Sequence, residues 1–210
     1  MNLPNKLSIT RIVLAPVVIF FFLADDTVCG GFIPYGALIA LGLYIIAAFT
    51  DTFDGIIARR NNQVTDLGKL LDPMGDKIHA FTGLLLIAIG GILTDTLPVW
   101  AIAVILFINL GRDFSVDVLR SVAIEKGMKV ATNWSGKIRT IVAFIAMPWI
   151  MFMCWNNSLD MPFIAGTLKT VLDVTGYALI AGAVVLNLYS WIFYFCANRG
   201  VFIAKKSGKV

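Results

Sequence analysis

Charge is scarce in this chain of 210 residues: charged side chains make up 14% of it, whereas 59% of the residues are hydrophobic. This balance excludes an ordinary soluble domain. Histidine occurs once, at His79, and the three cysteines, Cys29, Cys154 and Cys196, lack the spacing of metal ligands. A zinc site is therefore not expected. The cysteines are predicted to be small apolar fillers, with a Cys29–Cys154 disulfide as the alternative.

Linkers and repeats are also missing. No Pro/Ser-rich linker, low-complexity tract or persuasive internal repeat interrupts the sequence. We therefore predict one membrane domain over residues 1–210. Its opening is short and amphipathic, which makes residues 1–7 a candidate interfacial segment.

Long apolar runs, by contrast, fill most of the chain. We identify them at about residues 8–24, 33–57, 70–93, 97–118, 138–155 and 172–196. A run of about 20 apolar residues is long enough to cross a bilayer as a helix. The sequence therefore predicts an all-α integral membrane protein with six transmembrane helices.

Basic residues collect in alternate connections between these runs, whereas the other connections hold acidic residues and only Lys169. Under the positive-inside rule this pattern predicts that both termini are cytoplasmic. The polar residues gather on the same face, so we expect the active site there. Because the basic residues belong to short loops, no nucleic-acid binding is expected. The compact form favours a bacterial plasma membrane.

Four aspartates stand at regular spacing between the second and third apolar runs. Asp51 and Asp54 are three residues apart, and Asp72 and Asp76 are four apart. Each pair therefore lies on one face of a helix. A short connection would bring the two helix ends side by side, so that the four carboxylates converge. The alternative of exposed loop carboxylates suits Asp66 better than these four.

Carboxylates held together at a membrane edge repel one another and are costly to desolvate. A divalent cation relieves both penalties, and hard oxygen ligands favour Mg²⁺ or Mn²⁺ over zinc. Four carboxylates suit two ions, which can clamp the attacking and leaving oxygens of an in-line displacement. The pattern therefore predicts a metal-dependent enzyme that acts on a phosphate.

The complete string resembles the signature of the CDP-alcohol phosphotransferases. It reads Asp51-x2-Asp54-Gly55-x2-Ala58-Arg59-x8-Gly68-x3-Asp72-x3-Asp76, and all eight signature residues are present. The resemblance implies that an alcohol displaces CMP from a CDP-linked donor, with divalent metal and no covalent intermediate. It also agrees with six spans and cytoplasmic termini, and it implies a homodimer.

The same resemblance implies a role for each matched residue. The metal ligands would be Asp51, Asp54, Asp72 and Asp76, and Asp76 would also act as general base towards the acceptor hydroxyl. The CDP moiety would be bordered by Gly55, Ala58 and Arg59, with weaker matches at Thr65, Pro4 and Asn5.

A second polar region is similar to the phosphatidylglycerophosphate synthases of that family, and the resemblance spans about residues 3–140. The region contains an Arg-Asp pair, an arginine eight residues later and a Ser-Gly-Lys-x-Arg-Thr stretch. The resemblance implies CDP-diacylglycerol as donor and glycerol 3-phosphate as acceptor. Arginine forks suit a dianionic phosphate. The candidate phosphate ligands, which could instead be positive-inside charges alone, are Arg112, Arg120, Lys137 and Arg139.

Alternatives remain open at this stage. The acceptor could be phosphatidylglycerol, as in a cardiolipin synthase, or inositol phosphate or serine. A transporter whose aspartates bind a coupling cation is less favoured, because it predicts carboxylates near mid-membrane and repeated or broken helices. Asp113 could simply pair with Arg112 or Arg120, and His79 is expected to be a packed residue.

Overall fold

The computed structural model describes residues 3–60, 66–128 and 134–200, with the backbone alone for residues 3–7, 51–60, 66–67, 69–70, 72, 135 and 137. The helices are α1 Leu3–Leu23, α2 Gly36–Arg60, α3 Asp66–Leu93, α4 Val99–Glu125, α5 Trp134–Ser158 and α6 Gly166–Ala197. In these ranges the only extended pairing is an isolated bridge between Asp25 and Ile33. The prediction of an all-α protein is confirmed.

Each predicted apolar run corresponds to one helix, but several helices extend beyond their run. α4 continues to Glu125, and α6 already begins at Gly166. These helices are longer than the apolar runs because their polar ends can project from the hydrocarbon into water. α1 begins at Leu3, so residues 3–7 continue directly into the first helix. Their interfacial position stays a prediction.

Four helical segments are long and apolar enough to cross a membrane: Pro73–Leu93, Val99–Glu125, Ile138–Ser158 and Gly166–Ala197. Two shorter apolar stretches, Ser8–Leu23 and Gly36–Thr50, lie in α1 and α2. A helix satisfies its own backbone hydrogen bonds, as hydrocarbon requires. The number of six spans and their orientation stay predictions.

The chain divides into two compact units. The first contains Met1–Pro98 and Met147–Val174, and the second contains Val99–Ala146 and Thr175–Val210. Of the three unit boundaries, one precedes α4 and the other two fall within α5 and α6, so α5 and α6 contribute to both units. The single family domain over residues 1–210 stays a prediction.

In the first unit α1 packs against α2 and α3. Its core contains the fully buried side chains of Phe22 and Leu86, with Cys154 of α5 beside them. A Cβ atom added at Gly90 would lie 3.0 Å from the Phe22 ring and 3.2 Å from the Cys154 Cβ. The absence of a side chain at Gly90 therefore allows α3 to approach both neighbours closely.

The connection from α1 to α2 is organised by one carboxylate, Asp25, which is completely buried. Its Oδ1 accepts hydrogen bonds from the Thr27 backbone N–H at 3.0 Å, the Thr27 hydroxyl at 2.7 Å and the Val28 N–H at 2.6 Å. Its Oδ2 accepts from the Ala37 N–H at 2.7 Å, which is one of the unpaired donors at the start of α2. Asp25 therefore closes the loop and caps the next helix.

Two further features fix the C-terminal end of α5 in this unit. The Asn156 amide donates to the Ile164 carbonyl at 3.1 Å and accepts from the Ile164 N–H at 2.8 Å. It therefore pairs with Ile164 as a backbone peptide group would. The Ser158 hydroxyl donates to the Thr27 hydroxyl oxygen at 3.1 Å. Both contacts join the end of α5 to a connecting loop.

All three cysteines are free, so the alternative of a Cys29–Cys154 disulfide is wrong in this structure. Cys154 is buried, as an apolar filler should be, whereas Cys196 is exposed. Burial raises the pKa of the Cys29 thiol, and the neighbouring Asp25 carboxylate raises it further. Cys29 is therefore a poor nucleophile at neutral pH.

In the second unit α4 and α6 pack against each other. Their core combines Val116, Leu119 and Ala123 of α4 with Tyr194 of α6. A Cβ atom at Gly111 would lie 2.9 Å from the Trp191 ring. A larger residue at this position would displace the Trp191 side chain of α6.

We predict that Asp25→Ala lowers the thermal stability of the protein in detergent. The substitution removes the acceptor of four hydrogen bonds and leaves buried N–H groups unpaired, at a cost of about 3 kcal/mol or more. Thermal denaturation followed by circular dichroism should show a clearly lower Tm. Asp26→Ala is the matched control, because Asp26 is adjacent but exposed. Equal Tm values for the two variants would contradict the role of Asp25.

Candidate functional site

The four signature aspartates lie on two helices, as their spacing predicted. Asp51 and Asp54 fall in the C-terminal part of α2, and Asp72 and Asp76 fall in the first turns of α3. The side chains of Asp51, Asp54 and Asp72 lie outside the described part of the structure. Convergence of the four carboxylates on a metal therefore stays a prediction.

The contacts of the predicted nucleotide-binding residues likewise lie outside the described part of the structure. Gly55, Ala58 and Arg59 occupy the last turns of α2, and Pro4 and Asn5 occupy the first turn of α1. Their side chains lie outside the described residues, as does Thr65 entirely. Their contacts with CDP stay predictions.

Asp76 is the one signature aspartate whose side chain is described, and it forms an ion pair with Arg11 of α1. The distance from Arg11 Nη1 to Asp76 Oδ1 is 2.7 Å. The Arg11 side chain is 2% exposed, whereas that of Asp76 is 59% exposed. The guanidinium is thus buried among the packed helices, whereas the carboxylate is accessible to a ligand.

The positive-inside pattern explains Arg11 only as a topology charge and does not predict its contact with Asp76. A signal was nevertheless present, because Arg11 is the only charged residue between Lys6 and Asp25. An ionisable residue inside an apolar run needs a partner. What the sequence lacked was any indication of which acidic residue α1 would meet.

His79 is packed, as expected for a lone histidine on a helix face. Its ring stacks on Tyr44 with a centroid distance of 4.1 Å and an interplanar angle of 16°. The Tyr44 hydroxyl in turn contacts the Met147 sulfur at 2.9 Å. These contacts account for His79 without a catalytic role.

In the second unit, two of the four predicted phosphate ligands converge on one carboxylate. Arg112 Nη1 lies 2.8 Å and Arg139 Nη1 lies 3.2 Å from Asp113 Oδ1. The side chains are 12% exposed for Arg112, 18% for Arg139 and 36% for Asp113. Two guanidinium groups and one carboxylate leave an excess of one positive charge, so this cluster suits an anionic ligand.

The other two predicted phosphate ligands have no described contact with these residues. Arg120 is exposed on α4, and no described contact joins it to the Arg112–Asp113–Arg139 cluster. The side chain of Lys137 on α5 lies outside the described residues. Their roles in binding the acceptor stay predictions.

Two polar residues of α6 that were not predicted from the sequence, Asn187 and Ser190, also contact this cluster. Asn187 Oδ1 accepts a hydrogen bond from Arg139 Nη1 at 3.0 Å, and the Ser190 hydroxyl lies 3.4 Å from Arg112 Nη2. Asn187 and Ser190 are both buried, at 1% and 3% exposure. Their three-residue spacing in an apolar helix places them on one face, which is the signal that could have revealed them.

Comparison with known proteins gives one family and several related enzymes. The family model for CDP-alcohol phosphatidyltransferase matches residues 1–192. A Salmonella choleraesuis (strain SC-B67) protein is 29% identical over 203 residues, which cover 95% of this chain and 96% of its own length. A Shigella flexneri serotype 5b (strain 8401) protein is 30% identical over 200 residues, which cover 94% of this chain and 95% of its own length.

A third relative, from Bacillus subtilis (strain 168), is 38% identical over 151 residues, covering 70% of this chain and 74% of its own length. All three relatives are named CDP-diacylglycerol–glycerol-3-phosphate 3-phosphatidyltransferase. The first two matches extend well past residue 140, so the similarity includes α6 as well as the two polar regions.

Proposed function

Because the chain belongs to the CDP-alcohol phosphatidyltransferase family, we propose that it transfers the phosphatidyl group of CDP-diacylglycerol to glycerol 3-phosphate. The products are phosphatidylglycerol phosphate and CMP. The names of the relatives support this reaction. The observation that carries the choice of acceptor is the convergence of Arg112 and Arg139 on Asp113, because a partly buried excess of positive charge suits a phosphate dianion.

The donor set fits a divalent cation. It consists of carboxylates at helical spacing on α2 and α3, and the described one, Asp76, is open to a ligand. We assign two Mg²⁺ or Mn²⁺ ions to Asp51, Asp54, Asp72 and Asp76. Bound there, the cations would neutralise charge on the diphosphate and orient it.

Asp76 is proposed to accept the proton of the primary hydroxyl of glycerol 3-phosphate. The hydroxyl oxygen forms a bond to the phosphorus that carries diacylglycerol, and the bond from that phosphorus to the CMP oxygen breaks. A carboxylate has about four lone-pair sites, so the Arg11 bond to Oδ1 is compatible with further ligands. Arg11 would hold the carboxylate in position for this step.

The remaining residues bind the two substrates. The CDP moiety is assigned to Gly55, Ala58 and Arg59, with Thr65, Pro4 and Asn5 as further contacts. The acceptor phosphate is assigned to Arg112, Arg120, Lys137 and Arg139. The acyl chains of the donor remain in the lipid, which explains why the enzyme is built from apolar helices.

We further propose six spans, with α1 and α2 added to the four long apolar segments. Both termini and the active site would face the cytoplasm, in a bacterial plasma membrane, as the distribution of basic residues suggests. A homodimer is the expected assembly, from the family resemblance alone.

The reaction is tested by CMP release from CDP-diacylglycerol by the purified protein in mixed micelles with Mg²⁺. We expect release that requires glycerol 3-phosphate and is abolished by EDTA. Phosphatidylglycerol, inositol phosphate and serine, supplied separately, are the competing acceptors. Metal-dependent release with one of these would overturn the acceptor, and no release with any acceptor from folded protein would contradict the enzyme activity.

We predict that Asp76→Asn reduces turnover by at least about a hundredfold, as expected when a general base is lost. Binding of CDP should be largely retained, because the other three aspartates remain. Initial rates of CMP release and a CDP-binding titration measure the two effects. Asp66→Asn, which changes a nearby aspartate outside the signature, should remain active. Near-normal turnover of Asp76→Asn would remove Asp76 from the role of base.

We predict that Arg120→Ala and Lys137→Ala each raise the KM for glycerol 3-phosphate about tenfold, since each removes a charged hydrogen-bond donor. The KM for CDP-diacylglycerol should change little. Arg199→Ala, which removes an exposed charge near the end of α6, serves as the control. If the variants instead weaken only the lipid donor, the acceptor site has been assigned to the wrong residues.

A further inference from the structure

Two amide side chains, the buried Asn187 of α6 and the half-buried Asn109 of α4, form a hydrogen bond next to the Arg139 guanidinium. We propose that Asn187 is a positioning residue that fixes Arg139 for the acceptor phosphate. This inference rests on the proposed function and extends it to a helix that carries none of the assigned residues. The contacts that carry it all lie within the second unit.

The orientation of the Asn187 amide is determined by its neighbours. Its Nδ2 donates to Asn109 Oδ1 at 3.0 Å and to the Ala183 carbonyl at 3.0 Å. Asn109 is itself held, because its own Nδ2 donates to the Ile105 carbonyl at 2.8 Å. With both amide protons of Asn187 in use, its oxygen has to face the Arg139 Nη1 atom.

Among the described residues, two contacts hold Arg139, and both use one atom of its guanidinium, Nη1. Its Nη1 atom is shared by Asn187 at 3.0 Å and Asp113 at 3.2 Å. Its Nε atom is buried and has no hydrogen-bond partner among the described residues. A buried donor left unpaired costs free energy, and a phosphate oxygen at the Nε–Nη2 edge would satisfy it in the usual bidentate manner.

A neutral amide is well suited to this task. A carboxylate at position 187 would also hold the guanidinium, but together with Asp113 it would cancel the positive charge of the cluster. Asn187 restricts Arg139 without neutralising it. Asn187 thus positions the guanidinium, and the positive charge of the guanidinium remains available to bind the acceptor phosphate.

The test compares Asn187→Leu with Asn187→Asp in the full-length protein. Asn187→Leu removes the hydrogen bond, and we expect the KM for glycerol 3-phosphate to rise about tenfold, the effect of losing one bond to a charged group. The kcat and the KM for CDP-diacylglycerol should stay nearly unchanged. Asn187→Asp should raise the KM for glycerol 3-phosphate further, because its charge repels the dianion.

Tyr194→Phe is the matched control on the same helix. The Tyr194 hydroxyl is buried and has no hydrogen-bond partner in the described part of the chain, so its removal should leave both KM values unchanged. Asn109→Leu provides a second variant, because it releases the Asn187 amide without touching Arg139. We expect a smaller rise in the KM for glycerol 3-phosphate.

A rise confined to glycerol 3-phosphate supports the inference. Unchanged KM values, or an equal rise for both substrates, overturn it, since a purely structural residue would not distinguish the two. If the wild type shows no release that depends on glycerol 3-phosphate, the proposed function itself fails. The inference is then decided by inorganic phosphate, which should raise the Tm of the wild type more than that of Asn187→Leu at the same concentration.

Discussion

Buried charged and amide side chains in this chain are subject to one constraint: each needs a partner within the protein, because neither hydrocarbon nor packed apolar side chains can replace water. Asp25 meets the requirement with four donors from one loop and the start of α2. Arg11 meets it with Asp76, and Arg139 with Asp113 and Asn187. The partnerships of Arg11 and Arg139 join helices that are distant in sequence, so the same bonds that remove a penalty also fix how those helices pack.

These partnerships also explain why the candidate chemistry sits among apolar helices. Asp76 is held by a buried guanidinium yet remains open to a ligand. The Arg112–Asp113–Arg139 cluster is only half neutralised, and the amide of Asn187 adds restraint without adding negative charge. Binding of a phosphate substrate requires a rigid site in which part of the positive charge is not neutralised by the protein.

The helices were predictable because an apolar run in a membrane has few alternatives to a helix, and the all-α fold followed directly. The aspartate string was predictable because helical spacing and signature residues are local properties of the sequence. The partner of Arg11 was not, since a lone charge in an apolar run shows that a partner is needed but not which helix supplies it. Asp113 shows both cases: its pairing with the adjacent Arg112 was anticipated, whereas its contact with Arg139 depends on the packing of α5.

The sequence by itself determined the helical class, the family and the residues that bear charge in an apolar chain. It could do so because hydrophobic length, residue spacing and residue chemistry act over a few turns of helix. Only the tertiary structure decided that Asp25 caps α2, that Arg11 reaches Asp76 and that Asn187 faces Arg139. These outcomes depend on which helix faces meet, and small residues such as Gly90 and Gly111 determine that by allowing close approach. Hydrogen bonds then select one arrangement, because a misplaced amide or guanidinium would remain buried and unpaired.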